Sequence, residues 1–162
     1  MINRELINPQ SIVVVGGSNN VHKPGGRLVR NLLDGKYKGE LYVVNAKEDD
    51  VQGLKSYHSV HDIPETELAI ISIPGPACPE AVDVLAKQKN VKAFIVISAG
   101  FGEETHAGAI LDEQLLKRIN ETGASLIGPN CLGPLHMHSP GVFTPPLPDF
   151  HPHGARFISS SC

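Results

Sequence analysis

The segment Ser11-Ile12-Val13-Val14-Val15, closed by Gly16-Gly17-Ser18-Asn19-Asn20, constrains this chain more than any other stretch. An unbroken β-branched run of this kind suits a strand buried on both faces, as in parallel sheets covered by helices. The paired glycines let the chain turn sharply and leave room for a phosphate to approach the peptide N–H groups. Helical spacing resumes after Gly25-Gly26 at Leu28, Leu32 and Leu33. Strand, glycine-rich turn and helix in that order form a mononucleotide-binding unit. A branched side chain at Gly17 is therefore expected to obstruct a phosphate more than it harms the fold.

The glycines do not follow the dinucleotide pattern G-x-G-x-x-G, because Asn19 to Pro24 intervene before Gly25. The second strand, Glu40 to Asn45, sharpens the contrast. NAD-binding folds usually place an acidic residue near this point to accept the ribose hydroxyl, whereas here Asn45-Ala46-Lys47 follows. A cation there favours NADP or coenzyme A over NAD, with Glu48, Asp49 and Asp50 close by in sequence.

Val51 to Glu67 reads as a turn-rich connection, with a helical turn over Ser59 to Asp62. Leu68 to Ile73 is a third strand ended by Pro74-Gly75-Pro76, which delivers the chain to a helix from Pro79 to Lys89. Val91 to Ser98 is a fourth strand, and Ala99-Gly100-Phe101-Gly102 leads into a helix reaching Thr122, with its apolar stripe at Leu111, Leu115, Leu116 and Ile119. Ser125 to Ile127 is the last strand, running into Gly128-Pro129-Asn130-Cys131. Five strands alternating with helices predict a Rossmann-like, doubly wound parallel α/β sheet over residues 1–133, with ligands beyond the strand carboxyl ends. Residues 134–154 read as a Pro/His-rich linker, and 155–162 as the first strand of a truncated following domain.

The 162 residues suit one domain of this size, and 14 basic against 17 acidic side chains, net −3, exclude a polyanion surface as the main partner. The amino terminus lacks the basic-then-apolar plan of a signal peptide and no 18-residue apolar run occurs, so a cytoplasmic protein is expected. Cys78, Cys131 and Cys162 form no C-x-x-C pair and read as thiols.

Taken in order, Val14-Val15-Gly16-Gly17-Ser18, Lys23-Pro24-Gly25-Gly26, Val44-Asn45-Ala46-Lys47, Gly53-Leu54-Lys55, Ile73-Pro74, Ile97-Ser98-Ala99-Gly100-Phe101 and Gly128-Pro129-Asn130-Cys131-Leu132-Gly133 resemble the CoA-binding domain of NDP-forming acyl-CoA synthetases. Within that group the resemblance is strongest to ADP-forming acetate–CoA ligases, with succinyl-CoA ligase alpha subunits more distant. It implies a module of an enzyme that interconverts acyl-CoA, ADP and phosphate with acid, CoA and ATP through an acyl phosphate and a phosphohistidine. Its ligand would be coenzyme A or acyl-CoA, and its partners the phosphohistidine and ATP-grasp domains of the complete enzyme; a homo-oligomer is a further candidate assembly. The resemblance would set Gly17, Ser18 and Asn19 at the CoA phosphates, with Lys47 supplying charge and Gly16 and Lys23 also among the CoA-binding residues. It would set Ser98, Ala99 and Gly100 beside the pantetheine arm, Pro74 in the wall between, and Asn130 near the thiol. No catalytic residue is expected in this chain.

Thr105-His106-Ala107-Gly108-Ala109 shares letters with the family's phosphohistidine loop, yet its place after Ser98-Ala99-Gly100-Phe101 marks His106 as the entry to a helix. His136, His138, His151 and His153 lack the context of a structural zinc site and read as linker histidines. Cys131 reads as a packed thiol, and Glu103-Glu104 as acidic residues favoured at a helix start. Two other functions use the same features: an NADP-binding Rossmann domain, and a CoA-binding regulatory domain of a protein acetyltransferase or acyl-CoA sensor.

Overall fold

The computed structural model describes residues 2–102, 105–133, 135–136 and 139–140. Its centre is the predicted first strand, β1 (Ser11–Val15). Ile12 and Val14 point to one face of the sheet and Val13 and Val15 to the other, and all four are buried. The period-two geometry of a strand accounts for this, since an apolar run supplies both faces at once.

Arg4–Ile7 form a short helix α1, with the Asn3 side chain accepting from the Leu6 N–H. The later elements are α2 (Pro24–Asp34), β2 (Glu40–Val44), β3 (Asp50–Val51), β4 (Leu54–Tyr57), β5 (Leu68–Ile71), α3 (Cys78–Gln88), β6 (Ala93–Val96), α4 (His106–Thr122) and β7 (Ser125–Ile127). The sheet order is β3-β4-β2-β1-β5-β6-β7, parallel throughout except for the β3–β4 pair. Leu28, Val29 and Leu32 of α2 pack with Ile12, Val14 and Ile70. Cys78, Val82 and Leu85 of α3 and Leu115 and Ile119 of α4 pack with Val13, Val15 and Ile71 on the opposite face. The strand order reverses between β1 and β5, so the crevice above those two carboxyl ends is the topological switch point of a doubly wound sheet.

Seven strands replace the five expected, because the stretch read as a connection contains a hairpin. Gln52 and Gly53 both have positive φ, 55° and 85°, as a two-residue type I′ turn requires between short strands. Asp50–Val51 and Leu54–Tyr57 flank that turn, and β4 adds to the sheet through Val43↔Ser56 and Val44↔Tyr57. Only Val51 and Ser56 of these six strand residues are buried, too few to leave an alternating pattern. A hydrogen-bonded turn occurs at Ser59–Asp62, Asp62 N–H donating to Ser59 O at 3.1 Å. Leu135–His136 pair antiparallel with Ser139–Pro140 inside the segment read as a linker. The remainder of that segment, the following strand and Cys162 lie outside the described residues. Among the described residues no helix is long and apolar enough to cross a membrane.

Candidate functional site at the strand carboxyl ends

The turn after β1 is built by close approach. Gly16 has φ 90° and its N–H donates to Val44 O at 2.9 Å; a Cβ there would stand 2.2 Å from Ser72 O. Gly25, in the first turn of α2, sits so close that its own Cβ would fall 2.0 Å from Gly16 O. The glycines thus bring the amino terminus of α2 onto the strand end. Lys23 occupies the N-cap position, and no side chain caps the first amides of the helix there. The N–H groups of Gly17 and Ser18 make no hydrogen bond among the described residues.

Gly17 corrects one expectation. It is buried, and a Cβ on it would lie 2.4 Å from Val43 Cγ1 and 3.2 Å from Val29 Cγ2. Its missing side chain makes room for the core between β2 and α2, so a valine there strikes the fold first.

Asn19 is tied down on all sides. Its backbone N–H and its Nδ2 both donate to Glu48 Oε2 at 3.2 Å, Nδ2 also donates to Asp50 O at 2.9 Å, and Oδ1 accepts from Gln52 N–H at 2.7 Å. Gln52 Nε2 then donates to Ser18 O and Gly26 O, at 2.9 and 2.8 Å. The hairpin missing from the sequence reading therefore clamps the glycine turn from above. Its signal in the sequence is the Gln52-Gly53 pair between polar strands.

At the end of β2, Asn45 Nδ2 donates to Gly17 O at 2.7 Å while Oδ1 accepts from the N–H groups of Lys47 and Glu48, at 2.9 and 3.2 Å. This side-chain turn joins the Lys47 loop to the first turn through two successive hydrogen bonds. Lys47 and Lys23 are exposed, and neither forms an ion pair among the described residues.

Beyond β5 and β6 the crevice wall changes character. Pro74 opens a single 3₁₀ turn, Gly75–Ala77, and Gly75 packs against Ala99 and Gly100. The Ser98 hydroxyl donates to Ile73 O, and Ser98 O accepts from Asn130 N–H at 3.1 Å. Gly100 has φ 89° and open space where a Cβ would stand. Pro74, Ser98, Ala99, Gly100 and Asn130 thereby lie together where the ends of β5, β6 and β7 meet. Cys78 is fully buried at the start of α3, and burial pushes its thiol pKa up. The half-buried Cys131 thiol donates to Val96 O at 3.4 Å. His106 is exposed as the first residue of α4, capped by Thr105, and Glu103 and Glu104 lie outside the described residues.

A cleft of about 340 Å³ opens at the switch point, floored by Val15, Val44, Ile73, Ala81 and Val84 and rimmed by His58, Ser59, His61 and Glu80. Its volume lies at the lower end of the range for small-molecule sites. The cleft also reaches Gly16 in the first turn and Ala46 in the Lys47 loop, so its apolar floor ends beside both.

A doubly wound sheet with a glycine-rich turn at its switch point defines a mononucleotide-binding class of domain. Residues 10–137 match the family model described as CoA binding domain, and the chain belongs to that family. It is 38% identical over 137 residues to acetate–CoA ligase [ADP-forming] II of Archaeoglobus fulgidus, covering 84% of this chain and 20% of that protein. It is 38% identical over 136 residues to acetate–CoA ligase [ADP-forming] II subunit alpha of Pyrococcus furiosus, covering 83% and 29%. The solved dinucleotide-forming acetyl-coenzyme A synthetase 1 of Ca. Korarchaeum cryptofilum, in complex with phosphate and ADP, superposes with a TM-score of 0.80 at 35% identity, covering 88% of this chain and 31% of that one. The chain thus spans less than a third of each of these relatives.

Proposed function

We propose that this chain is the CoA-binding module of an ADP-forming acyl-CoA synthetase, which joins an acid to CoA at the expense of ATP. The observation that carries the reading is the junction at the switch point. There Asn45 ties the Lys47 loop to the first turn, which carries the unpartnered Gly17 and Ser18 amides and leads to the start of α2, free of a side-chain cap. Amides and a lysine on the turn and loop beside an apolar cleft suit the phosphates of CoA. The neutral wall of Pro74, Ser98, Ala99 and Gly100 suits an uncharged arm, with Asn130 farther along. In this reading the chain binds and orients CoA, while other domains supply phosphoryl transfer.

Titration calorimetry with CoA, dephospho-CoA, NAD and NADP tests it. CoA is expected to bind in preference to both nicotinamide nucleotides, with affinity falling as salt rises. One exposed charge-assisted contact corresponds to about tenfold in affinity, so Lys47→Ala should weaken CoA by roughly that factor. An unchanged dephospho-CoA affinity would assign Lys47 to the 3′-phosphate, and parallel weakening would assign it to the pyrophosphate. Tighter binding of NADP than of CoA overturns the reading. The 162-residue chain is expected to form no ATP from acetyl-CoA, ADP and phosphate, and turnover would return His106 to consideration.

A further inference from the structure

His58 stands on the rim of the switch-point cleft, immediately after β4. Its Nδ1 lies 3.2 Å from Asn45 O and its Nε2 lies 2.8 Å from Asp49 Oδ1. A carbonyl and a carboxylate oxygen can only accept. A neutral imidazole has one N–H and would turn a lone pair towards one of these oxygens, so only the imidazolium satisfies both contacts. The two oxygens bracket the loop that carries Lys47, Asn45 at its start and Asp49 at its end. We infer that protonated His58 is a positioning residue, a latch that holds the Lys47 loop in the geometry that receives the ligand phosphate. The ligand part of this inference rests on the function proposed above.

The neighbouring charges agree with this assignment. Asp49 is the acidic group in contact with the ring, and its hydrogen bond raises the His58 pKa against the opposing effect of desolvation. The Glu48 carboxylate is turned away to Asn19, and His61 Nδ1 lies 3.3 Å from Gln88 Oε1. Lys47 lies on the loop, Asp50 begins β3 directly after it, and Glu80 faces the cleft from α3. A raised pKa means that the latch is fully closed below the ordinary histidine value of about 6.5 and opens as pH rises through the higher folded-state value. The side chains of His58 and Asp49 are 52% and 95% exposed, so solvent screens the pair and a severalfold effect is the ceiling.

Two measurements on the whole chain test the latch. In NMR spectra the His58 ring, assigned by comparison with His58→Gln, should titrate above the ordinary histidine value, and the Lys47 and Glu48 amides should follow the same midpoint. Asp49→Asn should move that midpoint down. In calorimetry, CoA affinity of the unmodified chain relative to His58→Gln should be about threefold higher at roughly pH 6 and converge by roughly pH 9. The ratio cancels titration of the ligand's own phosphate. A flat ratio with CoA bound, or Lys47 amides indifferent to His58, overturns the latch. If CoA binds neither protein at any pH, the proposed function falls, and the NMR titration alone decides whether His58 holds the loop.

Discussion

The two ends of the crevice are made in different ways. At the carboxyl ends of β1 and β2, side chains do the fastening: Asn19, Asn45, Glu48, Gln52 and His58 knit two turns and a hairpin together. Lys23 and Lys47 project from that framework. At the ends of β5, β6 and β7 the wall is made of backbone, proline and small residues, with Ser98 as the chief side-chain link. A charged ligand group needs fixed donors and cations, and fixing them takes many polar side chains. A neutral arm needs close approach and few donors, which small residues provide. The same sheet edge can thus read a ligand that is anionic at one end and uncharged at the other.

The largest expected effect breaks the symmetry between two glycines of positive φ. Gly16→Ala must place its Cβ against backbone, 2.2 Å from Ser72 O, whereas at Gly100 nothing stands within 4 Å. Gly16→Ala should lower unfolding free energy by about 3 kcal/mol or more, and Gly100→Ala by only about 1–2 kcal/mol of backbone strain. Urea titration of the two variants measures the difference, and equal losses would mean that the first turn is no tighter than the sixth strand's end.

Gly17→Val comes next. Because Val43 and Val29 occupy the space a side chain would need, a loss of about 2 kcal/mol is expected, read as a lower melting temperature before any change in ligand affinity. A stable variant with lost CoA binding would restore the view that Gly17 borders the phosphate.

The smallest effect sharpens the contrast between the ends. Lys47→Ala, expected to cost CoA about tenfold, should leave pantetheine binding unchanged, since pantetheine lacks the phosphates. Gly100→Ala should weaken pantetheine and CoA by the same factor. Crossed results, with Lys47 affecting pantetheine, would place the charged and neutral ends the other way round.

Much of this organisation is legible in local patterns. The β1 run, the glycines on either side of Asn19–Pro24, and the apolar spacing of α2, α3 and α4 each report a period that a buried strand or a half-buried helix must have. Those periods place the segments within a few residues of their bounds in the structure, and their order implies the switch point. The hairpin was not legible, because its strands bury one residue each and owe their pairing to β2 rather than to their own composition.

The sequence by itself determined the doubly wound class and the strand ends that border the crevice, because apolar period and turn-forming glycines are local properties of the chain, and its ordered motifs carried the resemblance to the family. Tertiary structure alone decided which polar side chains face one another. Gly17 proved to be a packing position through Val43, Asn19 a brace through Glu48, and His58 a bridge between Asn45 and Asp49. Each of those roles depends on a partner 9 to 29 residues away, and distance along the chain does not encode a hydrogen bond formed by the meeting of separate strand ends.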